Sequence, residues 1–204
     1  MKAVLGPLVA EAEDPDALAA FWTTLLGARE CGRLLTFRPQ ERPKTVKNRV
    51  HVDLYVRDVT RLVDLGARVL AEHPGWMTMA DPEGNEFCAF PDPQTPAEPP
   101  ARLFAVCVDS DRPEELAAWW AERVGAQVRD GPDGTPRWLY GSAGWEDVIW
   151  KFVRVADARV VPNRWQWSLR SDPGVRVDPQ GNQFSVCRRG CRSGSAAPCT
   201  SDAG

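Results

Sequence analysis

Two stretches of the sequence alternate apolar residues with residues that can take part in chemistry. The residues between the apolar positions are His51, Asp53 and Tyr55 in the first stretch, and Glu86, Cys88 and Phe90 in the second. Because successive side chains of a β-strand point to opposite faces, each set is predicted to share one face of its strand. An imidazole and a carboxylate can form a general acid–base pair or bind a divalent metal such as Zn, Fe, Mn, Co or Ni.

An internal repeat indicates which elements hold these strands in place. Residues 13–22 match residues 111–120 at an offset of 98, and residues 81–87 match residues 178–184 at an offset of 97. Two distant matches with nearly the same offset indicate duplication of a unit of about 95 residues.

Each copy begins with the pattern of a strand and an amphipathic helix. In the first copy, residues 3–10 form an apolar run, Asp14 can cap a helix, and Gly27 marks the end of that helix. The second copy repeats the apolar run at residues 103–108 and the helix end at Gly125.

The rest of the first copy predicts more strands and a second helix. The alternating stretch at residues 50–56 is followed by a helix at 58–66 and by strands at 76–79 and 86–90. In the second copy, a short connection at residues 171–177 replaces the second helix. The order of elements predicts an α+β fold with curved mixed sheets, helices on the outer face and a concave inner face free for a ligand.

The repeat also predicts the domain boundaries. The Pro-rich segment is predicted to be a linker between the copies, and the segment that follows the second copy is predicted to be a disordered tail. The predicted parts are a first domain at 1–92, a linker at 93–100, a degenerate second domain at 101–188 and a tail at 189–204.

The helix end at residues 21–27, the strand at 48–54 and the turn and strand at 81–87 together resemble the glyoxalase-like domain. This domain belongs to the vicinal oxygen chelate superfamily, which includes glyoxalase I, bleomycin-resistance proteins and extradiol dioxygenases. The resemblance covers residues 1–92 well and residues 101–188 less well. It implies duplicated tandem βαβββ modules, with the second copy degenerate.

The resemblance also implies a site. In the family, metal ligands lie on the first and last strands of a module, and the matching positions here are His51 and Glu86. These two are the predicted catalytic and metal-binding residues. The protein is expected to bind either one divalent metal or no cofactor. The side chains predicted to contact a small-molecule ligand in the cup of the first domain are Asp53, Tyr55, Trp76, Cys88 and Phe90.

The sequence departs from the family pattern at other ligand positions. Neither residues 6–8 nor residues 34–37 supply a ligand at the positions where the family has one. In the second copy, Gln166 and Gln183 stand where the first has His51 and Glu86, and neutral amides are poor metal ligands. No metal is therefore expected in the second copy. In the first copy, His73 on a predicted loop could add a third metal ligand to His51 and Glu86.

Composition argues against several classes of partner. The 25 basic and 28 acidic residues are mixed along the chain, so no basic block is available for nucleic acid. No apolar run approaches the roughly 20 residues of a membrane span, and the first residues turn acidic where a signal peptide would be apolar. The predicted location is therefore the cytoplasm, where the six cysteines would be thiols.

Three functions are consistent with these features. The first is binding of a small molecule in the cup, as in bleomycin-resistance proteins, with or without a divalent metal. The second is a metal-dependent lyase, isomerase or dioxygenase of the vicinal oxygen chelate type that uses His51 and Glu86. The third is a non-catalytic scaffold or pseudo-enzyme. The protein is expected to be a monomer or a homodimer.

Overall fold

The computed structural model describes residues 2–40, 42–170 and 176–187. Within these residues the chain forms four helices: Pro15–Leu26 (α1), Ala28–Leu34 (α2), Val59–Asp64 (α3) and Pro113–Val124 (α4). The strands of the first half are Val4–Leu5 (β1), Leu8–Ala12 (β2), Leu35–Pro39 (β3), Val50–Val56 (β4), Arg68–His73 (β5), Trp76–Ala80 (β6) and Glu86–Pro91 (β7). Those of the second half are Ala101–Ser110 (β8), Gln127–Asp130 (β9), Pro136–Tyr140 (β10), Ile149–Arg154 (β11), Trp165–Gln166 (β12), Ser168–Arg170 (β13) and Ser185–Cys187 (β14).

Eight of these strands form one mixed sheet in the order β5-β6-β7-β4-β8-β11-β10-β9. Its two halves meet at the centre, where β4 and β8 run antiparallel. In each half the first strand lies parallel to the last, as β4 does to β7 and β8 to β11. Each half is thus a strand, a helix and three further strands, which confirms the predicted α+β fold with curved mixed sheets.

The remaining strands form a smaller version of the same arrangement. β2 pairs with β3 in parallel and with β12 antiparallel, and β13 joins β1 antiparallel and β14 in parallel. β1 and β2 are separated by Gly6 and Pro7, and β12 and β13 by Trp167. This region therefore contains the first and last strands of two modules, with α1 and α2 as the helices of one of them.

This topology corrects the expectation that the cup lies within the first domain. The eight-stranded sheet takes four strands from each predicted domain, because β8, which begins at Ala101, pairs with β4 along its length. The small sheets likewise combine the start of the first copy with the end of the second. The boundary at residues 93–100 stays a prediction.

The helices begin and end at residues that favour those positions. The Asp14 carboxylate accepts a hydrogen bond from the Ala17 amide at the start of α1, and Pro15 occupies its first turn. Asp58 caps α3 in the same way through Thr60. α4 ends at Gly125, whose φ of 71° is in the left-handed region that favours glycine.

The repeated segments contact each other in both copies. The Trp22 indole of α1 donates to Asp81 at 3.2 Å, and the Trp120 indole of α4 donates to Asp178 at the same distance. Around Asp81, the Asn85 amide nitrogen donates to the carboxylate at 2.9 Å, and Asn182 does the same for Asp178. The segments that recur in the sequence are therefore the ones that join each helix to a turn of another module.

The core lies between the helices and one face of the large sheet. Val50, Val52, Leu54 and Val56 of β4 are all nearly inaccessible to solvent and belong to a single apolar cluster. Trp22 and Trp120 are completely buried in that cluster. The opposite face of β4, which carries His51, Asp53 and Tyr55, is therefore free of the helices, and we call the corresponding face of the eight-stranded sheet the inner face.

Some expected elements differ in the structure. The helix α2 was not predicted, and His73 ends strand β5 instead of lying on a loop. The predicted tail at 189–204 lies outside the described residues, as does most of the connection at 171–177. In the described part of the chain, no helix combines the length and apolar character that crossing a membrane requires.

Candidate functional site

Four adjacent strands bring a set of reactive side chains together on the inner face. The register pairs Asp53 of β4 with Cys88 of β7, and His51 of β4 with Cys107 of β8. On the far side of β8, Cys107 pairs in turn with Lys151 of β11. Paired residues of neighbouring strands share a face, so the alternation seen in the sequence places all of these side chains on one surface.

The carboxylate of Asp53 is the centre of this group. It accepts a hydrogen bond from the Lys151 ammonium at 2.8 Å and one from the Cys107 thiol at 3.2 Å. Its other oxygen lies 3.7 Å from Nε2 of His51. The side chains of Asp53 and Lys151 are 5% and 12% exposed, so this is a nearly buried ion pair.

Glu86, the second predicted ligand, has different partners. Continuing the β4–β7 register by two residues would place it beside His51. Its carboxylate, however, accepts from the Lys44 ammonium at 2.8 Å and from the backbone amide of Asn48 at 3.1 Å. The structure therefore joins Glu86 to the connection between β3 and β4, and does not include it in the close group around His51 and Asp53.

Aromatic rings cover the rest of the inner face. Tyr55 stacks on Phe104 at 4.0 Å between centroids, and Phe90 meets Phe104 edge to face at 5.3 Å. Trp76 stacks on Phe90 at 5.7 Å. The Lys151 ammonium lies 4.7 Å from the Phe104 ring centre, so the buried cation contacts aromatic faces as well as Asp53.

The rings also reach outward from this centre. Trp138 of β10 lies 5.0 Å from the Lys151 ammonium, and His73 stacks on Trp76 at 3.8 Å while its Nε2 contacts the Thr78 hydroxyl at 3.1 Å. Trp76 and Trp138 are half-buried. Each therefore leaves part of its ring surface open above the sheet.

Burial controls the charge states of the group. It raises the pKa of the Cys88 thiol to about 12 and also raises that of Cys107, with the Asp53 carboxylate adding to both shifts. Burial lowers the pKa of His51 by more than the nearby carboxylates raise it. For Lys151, burial is the largest single influence and lowers the pKa, but the charge and hydrogen bond of Asp53 together with Cys107 and Tyr55 outweigh it, and the net shift is upward. At neutral pH the group thus consists of two thiols, a neutral imidazole and an ion pair.

Three potential metal ligands lie close together in this group. One ligand atom each of His51, Asp53 and Cys88 lies within 4.8 Å of the other two. This donor set nevertheless fits a resident divalent metal poorly, because the Lys151 ammonium already pairs with Asp53 and would place a second positive charge beside any cation bound there. His51 is neutral, and its buried Nδ1 has no hydrogen-bond partner among the described residues, so it is a ready donor.

The second half of the sheet has no metal-ligating residue at the two positions that correspond to His51 and Glu86. The two halves are related by an approximate two-fold axis at the Val52–Val106 pair of the central strands. This relation places Ala105 and Ile149 in the second half where the first half has His51 and Glu86. Neither of these apolar side chains can bind a metal, so the second half does not complete a metal site with His51 and Glu86.

Sequence reasoning missed Lys151, Cys107 and Phe104. A signal for Lys151 was available, since it is the single charged residue within the apolar run at residues 148–153. Phe104 could not be assigned by alternation, because the β4–β8 register shifts beside Asp53 and leaves this residue as an extra one. The predicted residues Asp53, Cys88, Tyr55, Phe90 and Trp76 all lie on the inner face.

The lowered pKa of His51 predicts a pH dependence of stability. Below about pH 6.5 the unfolded chain binds a proton at this residue, whereas the folded chain does not until its lower pKa is reached. Stability should therefore fall on acidification from pH 7 to 5, by at most about 1.4 kcal/mol per pH unit for this one group. Urea unfolding of the wild type and His51→Gln across this range measures the difference, and equal slopes for the two proteins would contradict the assignment.

Comparison with known proteins agrees with the geometry. Residues 7–90 match the model of the Glyoxalase-like domain family. A comparison with curated proteins gives no match. Among solved structures, glyoxalase I from Zea mays superposes with a TM-score of 0.59 at 14% identity, covering 91% of this chain and 92% of that one.

A candidate dioxygenase from Bacillus subtilis is a second structural neighbour. It superposes with a TM-score of 0.50 at 13% identity, covering 83% of this chain and 71% of its own. Identities this low show a shared fold and do not transfer an activity. Residues 7–90 of this chain are therefore similar to the Glyoxalase-like domain family, and the chain as a whole shares the fold of glyoxalase I from Zea mays.

Proposed function

We propose that this protein binds a small planar organic anion on the inner face of the eight-stranded sheet, without a resident metal. The observation that carries the proposal is the Lys151 ammonium, nearly buried beside the partly exposed rings of Phe90 and Trp138. A cation in such surroundings attracts the anionic or carbonyl oxygen of a ligand more strongly than it would in water. Tyr55, Phe90 and Trp76 then offer flat apolar surface for the rest of that ligand.

The other predicted site residues take supporting roles in this proposal. His51 can hydrogen-bond a ligand through Nδ1, which has no partner within the described chain. Asp53 holds Lys151 in position, and Cys88 fills space as a protonated thiol. Glu86 acts at the edge of the face, where it fixes Lys44 and the connection that precedes β4.

The proposal differs from the two alternatives raised by the sequence. A metal-dependent lyase or dioxygenase requires a set of anionic or neutral donors around an open cation position, and here Lys151 contributes its own positive charge to the group. A scaffold requires no ligand on the inner face. Direct binding measurements separate the three.

The test uses 2-naphthoate as a probe, because it joins a planar ring system to one carboxylate. We expect isothermal titration calorimetry to show one binding site on the wild type, and weaker binding of the uncharged analogue 2-naphthol. Trp76→Leu should weaken naphthoate binding about three- to tenfold, since an aromatic pair contributes about 0.5–1.5 kcal/mol beyond the area it buries.

Trp119→Leu provides a matched control. Trp119 is also half-buried, but it lies on α4, where the Arg123 guanidinium covers its ring at 3.4 Å. This variant should bind naphthoate as the wild type does. Absence of binding to the wild type, or equal losses in the two Trp variants, would leave the scaffold hypothesis in place of this one.

A further inference from the structure

The fold contains a cavity over the smaller sheets, distinct from the inner face. It has a volume of about 850 Å³, within the range of small-molecule sites. Glu11 of β2, Arg38 of β3 and Gln166 of β12 lie along its floor. Its sides come from the connections at residues 42–49 and 157–164, which join the modules to one another.

The two connections are tied together above the floor. The Arg49 guanidinium donates to the backbone carbonyl and the carboxylate of Asp157, at 3.1 and 2.9 Å. From the other connection, Arg164 donates to the carbonyl of Arg42 at 3.2 Å and to that of Glu11 at 2.9 Å. These contacts hold the walls in a defined position, so the cavity is a built feature of the fold.

The lining of this cavity is strongly basic, although the whole chain carries a net charge of −3. Eight lining residues are arginine or lysine and two are acidic. Both acidic residues are already paired with arginines of the lining, Glu11 with Arg38 and Asp157 with Arg49, each at 2.9 Å. Three more lining cations pair with carboxylates outside the lining: Lys44, Lys47 and Arg164. The excess positive charge that faces the space between the connections therefore comes from the three remaining arginines.

Three of the lining arginines have no acidic partner among the described residues: Arg42, Arg159 and Arg176. Arg159 makes a long contact of 3.5 Å to the carbonyl of Gln180, and its Nε is buried without a hydrogen-bond partner in the described chain. The Nε of Arg164 is buried in the same unpartnered way. Donors left in this condition favour the binding of an acceptor from outside the chain.

The cavity is also the main site of exposed apolar side chains. Within the described residues, eight large apolar side chains are exposed, and four of them line this cavity: Val46, Val160, Val161 and Val177. Val160 is the most accessible of all, at 76%. Apolar residues that cluster beside a charged wall mark a binding surface better than the same residues scattered singly.

From these observations we propose that the cavity binds an organic anion with an apolar chain, such as a medium-chain carboxylate. The anionic group lies against Arg159 and Arg176, and the chain lies against the valines. This site is separate from that of the naphthoate probe, since the cavity and the aromatic residues of the inner face have no lining residue in common. Either site can therefore fail its test without affecting the other.

Octanoate is the probe for this site, with 1-octanol and inorganic phosphate as matched compounds that lack its charge or its chain. We expect calorimetry to show octanoate binding that weakens with added salt, and weaker binding of both matched compounds. The double variant Arg159→Gln/Arg176→Gln should lose about tenfold or more in octanoate affinity, since both charge-assisted contacts are removed.

Two controls make the result specific. Arg29→Gln removes one positive charge at an exposed position of α2 that is not part of the cavity, and should leave octanoate affinity unchanged. Trp119→Leu, on α4 and outside the cavity, should also leave it unchanged. If circular dichroism shows that the double variant is unfolded, Arg42→Gln on the exposed connection replaces it, with a smaller loss expected. No octanoate binding to the wild type, or equal affinity of the cavity variants and the wild type, would overturn the proposal.

Discussion

Replacing Lys151 by Met is expected to lower the free energy of unfolding by about 3–5 kcal/mol. The substitution keeps most of the volume and the apolar stem of the side chain but removes the ammonium that lies 2.8 Å from Asp53. The Asp53 side chain is only 5% exposed, so its carboxylate would be left charged and unpaired in a site that water hardly reaches. Urea unfolding at pH 7, followed by tryptophan fluorescence, measures the loss.

Two further variants distinguish a lost ion pair from lost packing. Asp53→Asn combined with Lys151→Met removes both charges and should recover most of the stability, because the loss in the single variant comes from the unpaired carboxylate. Arg61→Met removes one partner of the exposed pair with Glu98 and should cost less than about 1 kcal/mol. A loss below 1 kcal/mol for Lys151→Met, or no recovery in the double variant, would show that the ion pair has little effect on stability.

The central strand could be predicted from the sequence because its pattern is local. Alternation alone places His51, Asp53 and Tyr55 on the face opposite the valines of β4, and the structure agrees. The same rule gives the correct face for Cys88 and Phe90 of β7. Alternation depends only on strand geometry, so it holds whatever the strand pairs with.

The repeat predicted more than the duplication itself. Trp22 and Asp81 belong to different repeated segments, as do Trp120 and Asp178, and in each case the indole donates to the carboxylate across about 60 residues of chain. Duplication preserved each pair because a buried indole N–H and a buried carboxylate are both costly to leave unpaired. The recurrence of both segments at nearly the same offset thus indicated that they contact each other. It did not indicate that the two segments belong to different modules.

The composition of the site could not be predicted because it depends on pairing between strands distant in sequence. β4 of the first copy pairs with β8 of the second, and this brings Cys107 and Lys151 beside Asp53. Lys44 lies on a connection with no regular sequence pattern. It binds the Glu86 carboxylate, which is therefore not part of the group around His51 and Asp53. His51 and Glu86, at two ligand positions of the family, suggested a metal site. In the structure, Lys151 from the second copy determines the charge of the group around Asp53.

That lysine is the basis of the second large effect: we expect Lys151→Met to bind zinc more tightly than the wild type does. With the ammonium removed, Asp53 is free to bind a cation, and ligand atoms of Asp53, His51 and Cys88 already lie within 4.8 Å of one another. Small side-chain movements suffice to bring them to bond lengths of about 2.0–2.3 Å. Zinc would also lower the pKa of the Cys88 thiol, which burial raises to about 12 in its absence.

Equilibrium dialysis with metal analysis tests this prediction at micromolar zinc. We expect close to one equivalent in Lys151→Met and no stoichiometric uptake in the wild type. Zinc at a hundredfold excess over its dissociation constant should also return about 2.7 kcal/mol of the stability that the substitution removes. Lys151→Met/His51→Ala, which lacks the one neutral nitrogen donor of the group, should lose the uptake. If the wild type binds one equivalent that His51→Ala abolishes, Lys151 does not take the place of a metal, and the metal-dependent enzyme becomes the better hypothesis for this fold.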